Sequence, residues 1–130
     1  MLTHIDPRYL DKIWPQVDKL LASAITKNKG ESDLSQLRAQ IAYGGAQLLV
    51  WQEDDELSVA TVEFKQYPNY RSAHVSYLSG KTGEEFWKAF KEWAGQHGAS
   101  YVECLCGPAE ARLYGRFGMS AEYTMMRAKT

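Results

Sequence analysis

The stretch from Ala111 to Met119 reads Ala-Arg-Leu-Tyr-Gly-Arg-Phe-Gly-Met. Gly107 and Pro108 come just before it, and proline is favourable at a first helical position because that position needs no amide donor. The sequence therefore predicts a short helix from Pro108 through Tyr114. After the glycine-containing turn, residues 121–128 are predicted to form a final strand.

Another helix, followed by a strand, is predicted immediately before this stretch. Tyr101 to Cys106 is predicted to be a strand that is buried on both faces. The preceding helix is predicted to end near Gly95 or Gly98. Its large side chains recur at helical spacing, as expected for a helix that covers a sheet, and they are Phe86, Trp87, Phe90 and Trp93.

The middle of the chain is rich in β-branched and aromatic residues. Asp54-Asp55 and Pro68-Asn69 supply the turn chemistry that separates these runs. The pattern predicts three antiparallel strands at about 46–53, 57–67 and 70–78.

The chain opens with two predicted helices. Asp6 followed by Pro7 is typical of a helix start, and Pro15 should kink or split that first helix. Ser32 or Asp33 is predicted to cap the second helix. The resulting element order, ααβββαβαβ, predicts one α+β domain over residues 1–130, in which a helix joins two strands that lie parallel.

Composition narrows the function classes. The 130 residues include 15 Lys plus Arg and 16 Asp plus Glu, for a net charge of -1, so we expect neither nucleic acid nor a membrane surface as a partner. No apolar run approaches the roughly 20 residues that span a bilayer, and no leader pattern is present, so a cytoplasmic location is expected.

Cys104 and Cys106 do not have the spacing of a zinc pair and are interpreted as small buried hydrophobes, with a reactive thiol as the alternative. No metal site is predicted.

Leu113, Tyr114, Gly118 and Met119 resemble the last conserved block of the GNAT (Gcn5-related N-acetyltransferase) superfamily, where phenylalanine is usual at the position of Met119. The predicted element order resembles that superfamily along the whole chain. The resemblance implies a GNAT-like acyl-CoA N-acyltransferase fold, with a central mixed, mostly antiparallel sheet flanked by helices. It also implies that a homodimer is a common assembly.

The same resemblance implies that acetyl-CoA binds at a splayed gap between two strands, with its pyrophosphate on amides at the start of the third helix. A helix N-terminus suits an anion because its first amides are unpaired. The implied cofactor-binding residues are Ser76, Tyr77, Leu78, Ser79, Gly80, Lys81, Thr82 and Gly83. The family pattern has Gln or Arg at the position of Leu78, Gly at that of Lys81 and Asn at that of Gly107.

Alternatively, side chains of the protein itself accept hydrogen bonds from the amides at the start of the third helix. Thr82 and Glu85 have the spacing of a capping box, in which side chains take the amides that a phosphate would use. Glu84 and Glu85 add negative charge at the helix start.

Three residues are candidates for the acid and base of an acyl transfer. The resemblance implies that Tyr114 is the acid; the alternative is that its ring only packs on the sheet. A two-residue turn at Pro68-Asn69 would place Glu63 opposite His74, where the pair could provide the base or form a solvated ion pair.

Three functions follow from these expectations. The first is transfer of an acetyl group from acetyl-CoA to an amine. The second is that of a non-catalytic GNAT-fold protein, such as a bacteriophage-type virion or host-interacting protein, that acts through contacts with a protein partner. The third is binding of a peptide or metabolite in the same gap between strands.

Overall fold

A computed structural model describes all residues from Met1 to Thr130. Its elements, in chain order, are β1 (Leu2–Ile5), a 3-10 turn (Pro7–Tyr9), α1 (Leu10–Ile25), α2 (Leu34–Ala42), β2 (Gln47–Glu53), β3 (Glu56–Gln66), β4 (Arg71–Ser79), α3 (Glu84–Gln96), β5 (Tyr101–Cys104) and α4 (Pro108–Gly115). The predicted α+β class is confirmed.

The five strands form one sheet in the order β1-β2-β3-β4-β5. The neighbouring pairs from β1 to β4 are antiparallel, whereas β4 and β5 are parallel and are joined by α3. The hairpin between β3 and β4 closes through a hydrogen bond from the Tyr67 amide to the Tyr70 carbonyl, 2.8 Å long. This is the predicted mixed, mostly antiparallel sheet.

Apolar side chains cover both faces of the sheet, because alternate residues of each strand point to opposite sides. On one face α1 and α2 pack against β2 and β3 through a cluster that includes Trp14, Leu21, Leu37, Leu48 and Val59. On the other face α3 packs through a cluster that includes Leu49, Val62, Val75, Trp87 and Phe90. Every fully buried residue lies at or before Ala94.

Helix caps agree only in part with the predictions. Ser32 and Asp33 were the two candidates for the cap of α2. Asp33 is the cap, and it forms a full capping box with Gln36. Asp6 instead caps the 3-10 turn, accepting from the Arg8 amide. Pro15 does not split α1, which continues from Leu10 to Ile25; the proline lies in the second turn, where it removes only one intrahelical hydrogen bond.

The two ends of the chain differ from the predictions. β1 was not predicted, because its four residues include only two apolar ones and it gains its hydrogen bonds from β2. The predicted strand over 121–128 does not form: residues 120–130 make no backbone hydrogen bond and all are exposed.

β5 also differs from its prediction. It ends at Cys104 and is the edge of the sheet, so Tyr101 is exposed and the rest of the strand is half-buried rather than covered on both faces. Cys104 is half-buried, but Cys106 is exposed, which contradicts its interpretation as a buried hydrophobe. No helix is long and apolar enough to cross a membrane.

Candidate functional site

β4 extends beyond the end of its parallel partner β5. Their parallel pairing runs from Ser72 and Tyr101 to Val75 and Cys104, after which β4 continues to Ser79 without a partner on that side. The opposite edge of β4 carries a bulge where this pairing ends, because the register with β3 shifts there by one residue. A bulge bends its strand. The resemblance implied a splayed gap between two strands; in the structure all four residues of β5 pair with β4, and the open side of β4 begins where β5 ends.

The bulge is held by polar side chains. Thr61 faces Tyr77 in the register and the next pair is Val62 with Val75, which leaves Ser76 as the extra residue. The hydroxyls of Thr61 and Ser76 lie 2.9 Å apart. Tyr77 accepts a hydrogen bond from Asn28 Nδ2 at 3.0 Å. Ser76 and Tyr77 therefore support the bent strand and do not line the cleft beside it.

A cleft of about 550 Å³ opens beyond the end of β5. Its wall contains residues 78–83, which are six of the eight predicted cofactor-binding residues, and Leu113 and Tyr114 of α4. Lys27, Glu53 and Glu56 complete it. The structure thus brings the predicted loop and the predicted acid to one cavity.

The amides at the start of α3 have no side-chain partner. The helix cap is Gly83, and no side chain accepts from the first turn. The predicted capping box of Thr82 and Glu85 does not form, because the helix begins one residue too late for it and Glu85 occupies the second helical position. The first intrahelical bond runs from Trp87 N to Gly83 O. The amides of Glu84 and Glu85 are therefore available to an anion.

The loop before α3 depends on a glycine that touches β3. Gly80 has φ +103°, and a Cβ atom there would lie 2.5 Å from Ser58 Oγ and 2.8 Å from Ser58 Cα. Ser58 is buried, and its hydroxyl donates to the Lys81 carbonyl at 3.0 Å. Only glycine fits this position, and the contact fixes where the loop leaves the sheet.

Charge at the cleft is mixed. Lys81 Nζ lies 3.0 Å from Glu56 Oε1, and both side chains are exposed. Glu84 and Glu85 occupy the first turn of α3, as the sequence showed. The one loop cation is therefore paired with a carboxylate of the same cleft.

Tyr114 lies half-buried between α3 and the cleft. Its ring centroid is 5.0 Å from that of Trp87. Burial, with smaller contributions from Cys104 and Cys106, raises the pKa of Tyr114 to about 12. Its phenol therefore keeps its proton at neutral pH. The ring does pack on its neighbours, as the alternative interpretation proposed, but the same position also exposes it to the cleft.

The predicted register of Glu63 and His74 is confirmed, since they are direct partners in the β3–β4 ladder. The carboxylate nearest His74 belongs to Glu103, its partner on β5: Nδ1 and Oε1 are 3.6 Å apart. Ser72 Oγ donates to the same Glu103 oxygen at 2.8 Å. Burial, and then Lys65, lower the pKa of His74, whereas Glu103 and Glu63 oppose that shift. The imidazole is therefore neutral at pH 7.

Sequence reasoning missed Glu103. Its position opposite His74 follows from the parallel pairing of β4 with β5. These strands are joined through α3 and not by a short turn, so their register cannot be counted from the sequence. The one available signal was a carboxylate inside a strand predicted to be buried. His74 Nδ1 itself is buried and has no hydrogen-bond partner, so the pair with Glu63 is not the solvated ion pair that the sequence left open.

Tyr114 and His74 lie on opposite faces of the sheet. Tyr114 packs against the α3-side cluster, which contains Ala73 and Val75. His74 stands between those two residues in β4, so alternation turns it to the α1 side. The site therefore has one side that faces the cleft and a separate side with a neutral imidazole.

No protein-family model matches the chain, and no curated protein matches its sequence. Solved structures do match its fold along its full length. An aminoglycoside acetyltransferase from an uncultured soil metagenomic sample, in complex with sisomicin, aligns with a TM-score of 0.71 at 14% identity over 100% of this chain and 94% of that chain.

Two further structures are similar. The ribosomal-protein-alanine N-acetyltransferase from Brucella melitensis biovar Abortus 2308 has a TM-score of 0.71 at 15% identity, over 100% of this chain and 99% of that one. Glucosamine-6-phosphate N-acetyltransferase from Arabidopsis thaliana has a TM-score of 0.61 at 14% identity, over 99% and 97%. These neighbours act on chemically different acceptors, so the likeness concerns architecture. The chain has the fold of the GNAT acetyltransferases.

Proposed function

We propose that the protein transfers an acetyl group from acetyl-CoA to an amine. The observation that carries the proposal is the cleft beyond the end of β5, because its wall includes Tyr114 and residues 78–83, and residues 78–83 lead directly into the unpaired amides at the start of α3. The acetyltransferase fold of the neighbours supports the same reaction class.

The residues present fit a diphosphate. Gly83 caps α3 without a side-chain acceptor, and Gly80 draws the loop against β3 so that its backbone borders the cleft. An anion at this helix end gains from the unpaired amides and from the helix dipole. Glu84, Glu85 and the Lys81–Glu56 pair oppose it, although each exposed charge contributes only about 0.3–1 kcal/mol.

Bound acetyl-CoA would supply a thioester carbonyl and a thiolate leaving group. Tyr114 holds a proton at neutral pH and presents it to the cleft, as a general acid requires. His74 is neutral, as a general base requires, but it lies on the opposite face of the sheet and does not line the cleft, so we propose that it receives the proton of the amine through bridging water. Glu103 and Glu63 flank the imidazole and stabilise the cation that forms.

Binding of acetyl-CoA tests the proposal directly. Thermal shift and calorimetry with acetyl-CoA should show stabilisation, since a ligand at 100 times its Kd adds about 2.7 kcal/mol. Release of free thiol with a panel of primary amines then measures transfer. Absence of binding in both assays would contradict the proposal and would leave the non-catalytic alternative.

Variants separate chemistry from binding. Tyr114→Phe should keep the acetyl-CoA shift and lower kcat, because the hydroxyl acts in the transition state. His74→Gln should lower kcat and alter its pH profile with the same cofactor affinity. Tyr9→Phe is the matched control, since Tyr9 is exposed in the 3-10 turn and does not border the cleft. Unchanged turnover in Tyr114→Phe would remove that residue from the mechanism.

A further inference from the structure

Two free thiols, Cys104 and Cys106, lie at the end of β5, and the proposed acyl transfer uses neither of them. Cys104 is the last residue of the strand, and side chains two residues apart in an extended chain point to the same side. Cys104 is half-buried and packs against the α3-side cluster, as Tyr114 does, whereas Cys106 is exposed. The pair therefore combines a sulfur that solvent reaches with one that is sheltered.

The two thiols are close to each other. Burial raises the pKa of the Cys104 thiol, and Cys106 raises it further, through its charge and a hydrogen bond between the two side chains, to about 12. Alternate residues of an extended chain have Cα atoms about 6.4–6.8 Å apart. A disulfide joins Cα atoms that are about 4.4–6.8 Å apart. A small backbone adjustment is therefore enough to bond the two sulfurs.

The backbone at the second cysteine is free to make that adjustment. β5 ends at Cys104 and α4 begins at Pro108, so Leu105 and Cys106 belong to neither element. Neither residue makes a backbone hydrogen bond. A covalent bond between Cys104 and Cys106 therefore needs no hydrogen bond of the sheet or of α4 to break.

We propose that Cys104 and Cys106 are a redox site that forms an intrachain disulfide by exchange with a low-molecular-weight disulfide. The Cys106 thiol loses its proton and attacks one sulfur of the small disulfide, which gives a mixed disulfide and releases one small thiol. The Cys104 thiol then loses its proton and attacks Cys106 Sγ, which forms the protein disulfide and expels the second small thiol. Overall the protein loses two electrons and two protons, and the small disulfide gains them.

Exposure sets the order of the two attacks. Cys106 meets the small disulfide first, because Cys104 is half-buried and its raised pKa leaves little thiolate at neutral pH. The disulfide that forms ends at the exposed Cys106, and exposed disulfides are the ones that are readily reduced again. The site is therefore reversible. It lies directly before Gly107, the cap of the helix that carries Tyr114, and it does not depend on acyl transfer.

Mass spectrometry after incubation with oxidised glutathione tests the proposal. The wild type should lose the mass of two hydrogens and both alkylatable thiols, with the link mapped to the peptide that contains Cys104 and Cys106. Cys104→Ala should stop at the mixed disulfide and gain one glutathionyl group. Cys106→Ser lacks the exposed sulfur and should react at least about tenfold more slowly than the wild type. Reduced glutathione in excess should restore both thiols of the oxidised wild type.

Four outcomes would overturn the proposal. They are a wild type that keeps both thiols, one that ends as a glutathionyl adduct, a disulfide that joins two chains, and a protein disulfide that excess reduced glutathione does not open. Reaction of Cys106→Ser as fast as the wild type would overturn the order of attack, and that variant should keep the fold because Cys106 is exposed. None of these measurements uses acetyl-CoA, so their result is independent of the proposed acyl transfer.

Discussion

Ser58 lies in direct contact with Gly80, so close that a side chain at position 80 would begin 2.8 Å from Ser58 Cα. The obstacle is backbone in a central strand, which cannot move aside as a flexible side chain would. The contact ties the loop before α3 to β3, and with it the position of the free amides at the start of α3, which directly follow the cleft-lining residues 78–83.

Gly80→Ala should therefore destabilise the protein by about 2 kcal/mol, from strain at positive φ and from the clash with β3. It should also weaken acetyl-CoA binding, because relief of the clash moves the loop. Gly83→Ala is the control: no atom lies within 4 Å of a Cβ there and φ is -126°, so its stability loss should be under about 1 kcal/mol. Urea unfolding measures both, and equal losses would refute this account of the loop.

Glu56→Gln should strengthen acetyl-CoA binding roughly twofold to fivefold, because it removes a negative charge from the cleft and frees Lys81. The effect should shrink at high salt, since both groups are exposed. Glu92→Gln removes a charge from an exposed residue that does not line the cleft and should leave Kd unchanged. Calorimetry at two ionic strengths provides the comparison, and weaker binding by Glu56→Gln would contradict it.

His74 should titrate below the ordinary histidine pKa of 6.5, because burial disfavours its cation. Glu103→Gln should lower that pKa further, and Glu63→Gln should do so to a smaller extent. Each substitution removes a carboxylate whose negative charge stabilises the imidazolium and so raises the pKa of His74. Imidazole chemical shifts followed against pH report the value directly. A wild-type pKa above 6.5 would contradict the burial argument.

The same group makes stability depend on pH. The unfolded chain binds a proton to His74 near pH 6.5, whereas the folded chain resists it until a lower pH. The free energy of unfolding should therefore decrease as pH falls from 6.5 through the folded pKa, and this contribution should be constant above 6.5. His74→Gln should flatten that part of the profile. A profile identical to that of the wild type would mean that His74 is not the group responsible.

Tyr114→Ala should lower stability by about 2 kcal/mol, since it removes a half-buried ring that packs on Trp87. Tyr114→Phe should change stability by less than about 0.5 kcal/mol, because the hydroxyl makes no hydrogen bond within the chain. Denaturant unfolding at one pH compares the two. A large loss in Tyr114→Phe would show that the hydroxyl has a structural partner.

Local patterns were sufficient to predict most of the fold. The Pro68-Asn69 turn fixed the β3–β4 register and placed Glu63 opposite His74, because a two-residue hairpin permits only one alignment. Asp33 was visible as a cap because a capping box is contained in four consecutive residues. β1 was not visible, since Leu2–Ile5 becomes a strand only through its pairing with β2.

The candidate site was less predictable, because its parts come from distant segments. The loop at residues 78–83 and Tyr114 were identified through the resemblance, and both line the cleft. The capping box of Thr82 and Glu85 was wrong because the spacing alone does not fix where a helix begins. The position of Glu103 beside His74 depends on the parallel register of β4 and β5, and no local sequence pattern indicates that register.

The absence of fully buried residues after Ala94 has a consequence for folding. The strands β1 to β4 and the helices on both faces of the sheet contain all of the fully buried residues. β5, α4 and the C-terminal residues lie outside this core. This last quarter of the chain should open at a lower free energy than the rest, as a separate cooperative unit. Tyr114 belongs to that unit while residues 78–83 belong to the more stable part, so a molecule bound by both would link the less stable quarter of the chain to the rest of the domain.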